Sequence, residues 1–278
     1  MAKRKRSLNI DKMIKEGRGQ GTGSEYKPWI RIQDVPSLGR STRLKGIKTG
    51  RQHEFLSDME TNYFYLLEYA ENVVDIREQF PLLPLEDTIL ISEELGIQHP
   101  QNPQTGEFIV MTTDFFITIN SNNKLYEVAR TIKAKDELIN RRILEKFEIE
   151  RIYWQKRNID WGIVTDNEID KVIAHNISFV YSYNDIKNLD CFYQISKIEL
   201  QDLVYEFIKR VIDNNRTIRE ICSQFDNDMS LEKGSGLSIL KYLIINKIVS
   251  IDITKKIDVN DIIAFTVNEE CMKKVEVI

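Results

Sequence analysis

Asp114, Thr131 and Lys133 are residue types that could act together on a phosphodiester, and the chain spaces them so that they could meet. The runs Met111–Asn120 and Leu125–Lys133 are β-branched and aromatic, and they flank the polar stretch Ser121-Asn-Asn-Lys124. That pattern predicts a β-hairpin with Asp114 in its first strand. Thr131 and Lys133 end the second strand two residues apart, so their side chains leave one face. An acid on one strand and a polar-x-Lys on its neighbour is the layout of metal-dependent nucleases. The acid holds Mg²⁺, and the lysine orients or activates a water. Phosphodiester cleavage needs an in-line water, charge stabilisation on the phosphate and help for the leaving oxygen, and one or two Mg²⁺ ions supply most of this. Mg²⁺ takes hard oxygen ligands at roughly 2.0–2.1 Å and keeps several waters. Carboxylates from different elements must therefore converge. Glu60, on a preceding helix, is the second candidate, and Thr131 could add its hydroxyl or the neighbouring Ile132 carbonyl. Taken alone the pairing is common, and a solvated face of a hairpin is the better explanation of it.

The elements that must position these residues are legible around them. Ser57–Asn72 reads as a helix, with Met59, Phe64, Leu66, Leu67 and Ala70 on its apolar face. Ser57-Asp-Met-Glu60 is also a capping box, in which the Glu60 side chain would return to the Ser57 backbone N–H. Glu60 therefore has a complete local explanation. Val73–Leu82 reads as a strand ended by Pro81 and Pro84, with a short helix near Glu86–Leu95. After the hairpin come a long helix, Asn140–Arg157, and a short strand, Trp161–Thr165. Helix, strands, helix and strand predict an α/β domain whose mixed sheet is flanked by helices.

The 278 residues suit two domains. No run is long and apolar enough for a membrane span, and the start MAKRKR lacks the apolar region of a signal peptide, so a cytoplasmic protein is expected. Cys191, Cys222 and Cys271 are scattered, as are the three histidines, which argues against a zinc site. The net charge of −4 hides an asymmetry: residues 1–50 hold 13 Lys and Arg against 4 Asp and Glu. A basic arm on an acidic body suggests an anionic polymer as partner, with a solubilising tail the alternative. The arm contains Lys3-Arg4-Lys5-Arg6 and the glycine-rich run Gly17–Ser24, read as mobile; Arg18 within it could lie along phosphates. Arg40, Arg43, Lys45, Lys48, Arg51 and His53 follow in a stretch with few acids, a pattern suited to phosphate contact.

Beyond Asp166 the composition changes. Helices are expected at Glu168–Tyr181, Leu200–Val211, from Thr217, and at Ser230–Asn246, the last interrupted by Gly234 and Gly236. Two strands, Ile248–Ile253 and Ile262–Val267, would follow as a hairpin. Three helices and a hairpin is winged-helix order. The third of these, Ser230–Asn246, has few basic side chains, which favours protein contact over DNA contact there.

Several segments resemble the TnsA family, the endonuclease subunits of heteromeric transposases. They are Ile14–Gly21, Trp29-Ile with Val35–Arg40, Leu56–Glu60, Asp75–Pro84, Thr113–Phe115, Ile132-Lys133 and Leu144–Trp154, in order and with spacing preserved across most of the first 165 residues. The resemblance implies a restriction-endonuclease-like domain followed by a C-terminal winged helix. It implies a Mg²⁺-dependent endonuclease, with Mn²⁺ an acceptable substitute, that cuts the 5′ ends of transposon DNA. Its partners would be the TnsB transposase and the AAA+ regulator TnsC. By position the family's helix acid falls on Glu60, its strand acid on Asp114 and its lysine on Lys133, with Lys135 a neighbouring competitor. Metal contacts would come from Glu60, Asp114 and Thr131, which stands where the family has Gln or an acid, and Glu150 would have a supporting role. DNA contacts would come from Arg18, Arg40, Arg43, Lys45, Lys48 and Arg51. The expected domains are an arm and first strands at 1–51, a nuclease core at 52–166 and a winged helix at 167–278. A stand-alone restriction-type nuclease and a non-catalytic DNA-binding adaptor are the alternatives.

Overall fold

The computed structural model describes residues 10–34, 40–212 and 215–276. The chain divides between Asp170 and Lys171 into two compact units. In the first, the helices are α1 (Ile10–Lys15), α2 (Asp58–Tyr69), α3 (Leu85–Glu94) and α4 (Arg141–Gln155). The strands are β1 (Thr42–Lys45), β2 (Gln52–Phe55), β3 (Val73–Pro81), β4 (Thr112–Ser121), β5 (Lys124–Ile132) and β6 (Asp160–Val164). β1 and β2 form a separate antiparallel ladder.

The main sheet has the order β3-β4-β5-β6. Its first three strands are antiparallel, whereas β6 lies parallel to β5, with α4 as the crossover between them. This is the mixed, helix-flanked sheet expected from the sequence. Asn122 and Asn123 turn the β4–β5 hairpin, both with positive φ (50° and 61°), as a twist-matched two-residue turn requires. Phe115 meets Phe55 of β2 and Tyr63 of α2, while its neighbour Phe116 stacks on Phe80 and on Trp154 of α4. Successive strand residues point to opposite faces, so α2 and α4 cover the two sides of the sheet.

The N-terminal glycines are not a mobile linker. Gly17, Gly19, Gly21 and Gly23 all have positive φ, and a Cβ on Gly19 would lie 2.3 Å from Pro81 Cγ. The Gly19 N–H donates to Lys27 O at 2.7 Å. Glycine here permits a turn and a close approach to β3. Arg18 is buried, donating to Trp29 O at 3.0 Å, Asp34 at 2.5 Å and Glu16 at 2.9 Å. The cluster Lys3–Arg6 lies outside the described residues.

The second unit contains α5 (Lys171–Tyr181), α6 (Lys197–Ile212), α7 (Ile218–Asp228), α8 (Ser235–Ile245), β7 (Val249–Ser250), β8 (Thr266–Val267) and α9 (Glu269–Glu276). α8 is its central element, with Ile239, Leu240, Leu243 and Ile244 buried against Val204, Phe207 and Phe225. α8 starts later than expected because Gly234, at φ +99°, caps it. Asp226, at the end of α7, accepts from the Gly234 and Gly236 N–H groups at 2.7 and 2.6 Å, joining the two helices. β7 and β8 pair over only two residues each, shorter than the expected hairpin, and α9 follows where the sequence suggested no helix. No described helix is long and apolar enough to cross a membrane.

Candidate active site

Glu60 stands in the first turn of α2, where Ser57 is the N-cap and its hydroxyl accepts from the Glu60 N–H at 3.1 Å. The Glu60 carboxylate returns to the chain entering the helix. One oxygen accepts from the Leu56 N–H at 3.1 Å and the other from the Ser57 hydroxyl at 2.9 Å. The capping box therefore closes on Leu56 and the Ser57 hydroxyl rather than on the Ser57 N–H. A carboxylate has about four lone-pair sites, so these two bonds leave both oxygens able to take a further partner. Glu60 is nevertheless buried.

Asp114 faces Gln79 of β3 and the end of β5. Strand pairing skips this position: Glu78 pairs with Phe115 and Phe80 with Thr113, and Gln79 has φ +49°. Thr113 and Phe116, three residues apart, both reach α4, so the side-chain alternation slips at Asp114. Its carboxylate accepts from the Ile132 N–H at 2.7 Å and from the Gln79 amide at 3.2 Å. Burial, then the charge of Asp114, push the Glu60 pKa up from the usual carboxylate range. Burial likewise raises Asp114, against the pull of the Ile132 and Gln79 hydrogen bonds and the Lys133 charge. Two carboxylates on two elements are thus both poorly solvated, and the charge of Asp114 is felt at Glu60.

Lys133 follows β5 directly. Its N–H donates to Val164 O at 3.0 Å, and its ammonium pairs with Glu137 at 2.7 Å. Lys135, the alternative lysine, opens the 3-10 turn Lys135–Ile139, with its N–H on Asp166. Thr131 points to α4, where its hydroxyl donates to Glu150 at 2.5 Å, as does that of Thr113. Trp161 donates to the Thr131 hydroxyl at 3.3 Å. Burial raises the Glu150 pKa to about 7 against these hydroxyl bonds, with the Asp114 charge adding to the rise. Glu60, Asp114 and Glu150 thus form one electrostatic group, with Lys133 at its edge.

The basic residues of the first unit divide into two sets. Arg40, Arg43 and Lys45 are exposed, Arg43 pairing with Glu54 at 3.2 Å. Lys48 is half-buried and donates to Ala70 O at 2.8 Å. Arg18 and Arg51 are buried and committed to protein partners, so neither guanidinium can lie along a phosphate, contrary to the expectation from charge pattern. Arg51 donates to both oxygens of Glu78, at 2.8 and 2.5 Å, and to Ile76 O. His53 shares that carboxylate at 2.8 Å through Nδ1, while its Nε2 meets the Thr49 hydroxyl at 2.7 Å. Charge pattern alone cannot distinguish a cation facing solvent from one facing a buried acid 27 residues on.

Among the described residues, no group of three or more His, Cys, Asp and Glu side chains is arranged to hold a metal ion by itself. Mg²⁺ does not need one, since it is commonly held by one or two carboxylates, with waters and substrate phosphate completing its shell. Glu60 and Asp114 supply hard oxygens from separate elements, and both carboxylates are buried where their charge is poorly balanced. This donor set fits a divalent cation.

Two family models match the chain: a TnsA-like endonuclease N-terminal domain over residues 70–166 and a TnsA endonuclease C-terminal domain over residues 168–253. The chain is also similar to the transposon Tn7 transposition protein TnsA of Escherichia coli. They are 39% identical over 254 residues, 91% of this chain and 89% of that protein. The chain belongs to the TnsA family. It is a DNA-cleaving endonuclease of transposition, and the buried acids lie within or just before the TnsA-like N-terminal match. In this TnsA-family chain, sequence reasoning missed Gln79 and Thr113, which hold Asp114 and Glu150. Gln79 gave no signal, because its role depends on a backbone irregularity. Thr113 was visible only as the neighbour of Asp114.

Proposed function

We propose that this chain is a Mg²⁺-dependent endonuclease that cuts the 5′ ends of a transposon, working in the cytoplasm with a TnsB transposase and a TnsC regulator. The observation that supports this most is the pair of buried carboxylates, Glu60 on a helix and Asp114 on a strand, with the charge of Asp114 felt at Glu60 and that of Lys133 felt at Asp114. Glu60 and Asp114 would hold the ion, with the Ile132 carbonyl as a further oxygen, since the Thr131 hydroxyl expected in that role points to α4 and is engaged by Glu150 and Trp161. When bound, the ion supplies charge stabilisation to the phosphate and lowers the pKa of water. Lys133, on the edge of the carboxylates, orients the water and the phosphate. Glu150 holds the Thr131 hydroxyl and so fixes the last turn of β5. Arg40, Arg43 and Lys45 present charge to the DNA backbone. We read the second unit as a winged helix on the order of α6, α7, α8 and the β7–β8 pair, and as a regulator-binding module because α8 is apolar and buried rather than basic and exposed.

The test compares Asp114→Ala with the wild type in a supercoiled-donor assay containing TnsB and TnsC. Nicking at the 5′ ends should fall to background while the thermal melt keeps its cooperativity. Mn²⁺ titration of the chain alone should show saturable binding that the variant loses. Persistent 5′ nicking by the variant refutes the assignment, and specific cleavage by the purified chain without partners points to a stand-alone nuclease.

A further inference from the structure

Lys146 is an exposed cation beside the site that the mechanism leaves unused. It lies on α4 four residues before Glu150 and four after Arg142, so the three share a face. α4 is the crossover between parallel β5 and β6 and therefore runs against β5. Trp154 and Ala129 belong to one hydrophobic cluster between α4 and the sheet, and Glu150 accepts from Thr131. Each helical turn back along α4 thus advances two residues along β5, because four helical residues rise about 6 Å and two strand residues about 6.6 Å. The next pair in that register is Lys146 and Lys133. Electrostatics agrees with the register: partial burial of its ammonium, then Arg142, then Lys133, lower the pKa of Lys146.

Among the described residues the Lys146 ammonium has neither a hydrogen bond nor an ion pair. The nearby acids are taken, Glu137 by Lys133 and Glu145 by Arg141 and Arg142. Arg142 and Lys133 act on Lys146 by like-charge repulsion, and among the described residues Lys146 has no ion-pair partner. An anion is what this arrangement lacks, and in a DNA-cleaving enzyme the anion at hand is the nucleic-acid backbone.

We propose that Lys146 binds a backbone phosphate of the DNA next to the one that Lys133 faces. The inference rests on the DNA-cleaving activity and not on the metal reading, so it is tested by binding without metal. The full chain is titrated against a short duplex by fluorescence anisotropy from 50 to 200 mM salt, with Lys146→Ala, Lys146→Arg and, as a control at the far end of α4, Lys156→Ala, whose partner is Glu94. One lost phosphate contact should reduce the salt slope by about 0.9, a roughly threefold smaller loss of affinity across that range. The weakening should be uniform across duplex sequences. Lys146→Arg should restore the slope, and Lys156→Ala should leave it unchanged. Because Lys146 is repelled and unpaired, Lys146→Ala should melt at or above the wild-type temperature, whereas a structural lysine would melt lower. A wild-type slope in Lys146→Ala, a lowered melting temperature with unchanged binding, or no duplex binding by the wild type at 50 mM salt overturns the proposal.

Discussion

Glu78→Gln should destabilise the first unit strongly, and with a pH signature of its own. The Glu78 carboxylate is fully buried and takes four donors: Arg51 twice, His53 and, at 3.2 Å, the Glu54 N–H. Burial alone would raise its pKa. The Arg51 hydrogen bonds and the His53 contact overcome burial and bring it down from 4.5 to about 2. A carboxyl depressed by that much contributes roughly 3 kcal/mol at neutral pH. The contribution is complete above the unfolded-state value near 4.5 and is lost as the pH falls through about 2. Gln has the same shape but no charge, so it also leaves the Arg51 guanidinium buried without a counter-ion. Removing one partner of a buried pair costs roughly 3–5 kcal/mol.

Urea melts of wild type and Glu78→Gln at pH 7, 5, 4 and 3 would measure this. The difference should be roughly 3–5 kcal/mol at pH 7 and should hardly change at pH 5. It should shrink by roughly 2 kcal/mol between pH 5 and pH 3, as Glu78 of the unfolded wild-type chain takes up its proton while the folded one stays ionised. Arg51 stays charged throughout, so its penalty does not bend the curve. Cleavage should fall too, because the His53 ring packs 4.6 Å from Phe64 of α2 and so helps seat the helix that presents Glu60. A difference below about 1 kcal/mol at pH 7, or one that stays constant from pH 5 to pH 3, would refute the account of the network.

Gly19→Ala combines a φ of +74° with a Cβ 2.3 Å from Pro81 Cγ. It should lower stability by roughly 2 kcal/mol or more, and a melt equal to wild type would restore the mobile-linker reading. Asp226→Ala removes the acceptor of the Gly234 and Gly236 N–H groups. It should cost roughly 1–3 kcal/mol in the second unit, read by hydrogen exchange at the start of α8, with the first unit unaffected. Ser57→Ala takes away the α2 cap and one partner of Glu60. It should cost about 1 kcal/mol in urea and reduce 5′ nicking more than that loss of folded protein explains, whereas nicking that tracks stability alone would separate Ser57 from the site.

Where local chemistry decides structure, the sequence was readable. The Asn122-Asn123 turn, the Ser57 cap and the apolar period of α4 each depend on neighbours within one or two turns, and each formed near where the pattern placed it. The reading failed where a residue's partner is distant. Arg18 and Arg51 look like any other members of a basic run, yet Asp34 and Glu78 claim them. The glycine run looked flexible because glycine's freedom is the same whether a chain is mobile or held in a left-handed turn. Only the fold, by pressing Gly19 on Pro81, separates the two. Asp114 was visible as a residue type, whereas the slip that aims it was not, since Gln79 with positive φ leaves no mark in the sequence.

Thr131 shows how a strand position without a charge can still belong to an acidic site. The resemblance to TnsA leads one to look for an acid or Gln two residues before Lys133, and this chain has a hydroxyl there. That hydroxyl is committed to Glu150, and Thr113 donates to the same oxygen from the next strand. A carboxylate is therefore held against the end of β5 after all, carried by α4 rather than by the strand. Its charge is felt with that of Asp114, so the number of acids around the site is three even though the hairpin itself contributes one. A buried carboxylate held by two hydroxyls must be met by those donors or cost stability, which ties the residue types at 113, 131 and 150 to one another. A change at Thr131 alone would leave Glu150 with the Thr113 hydroxyl but one donor fewer, and reading the hairpin without its crossover helix would miss the third acid.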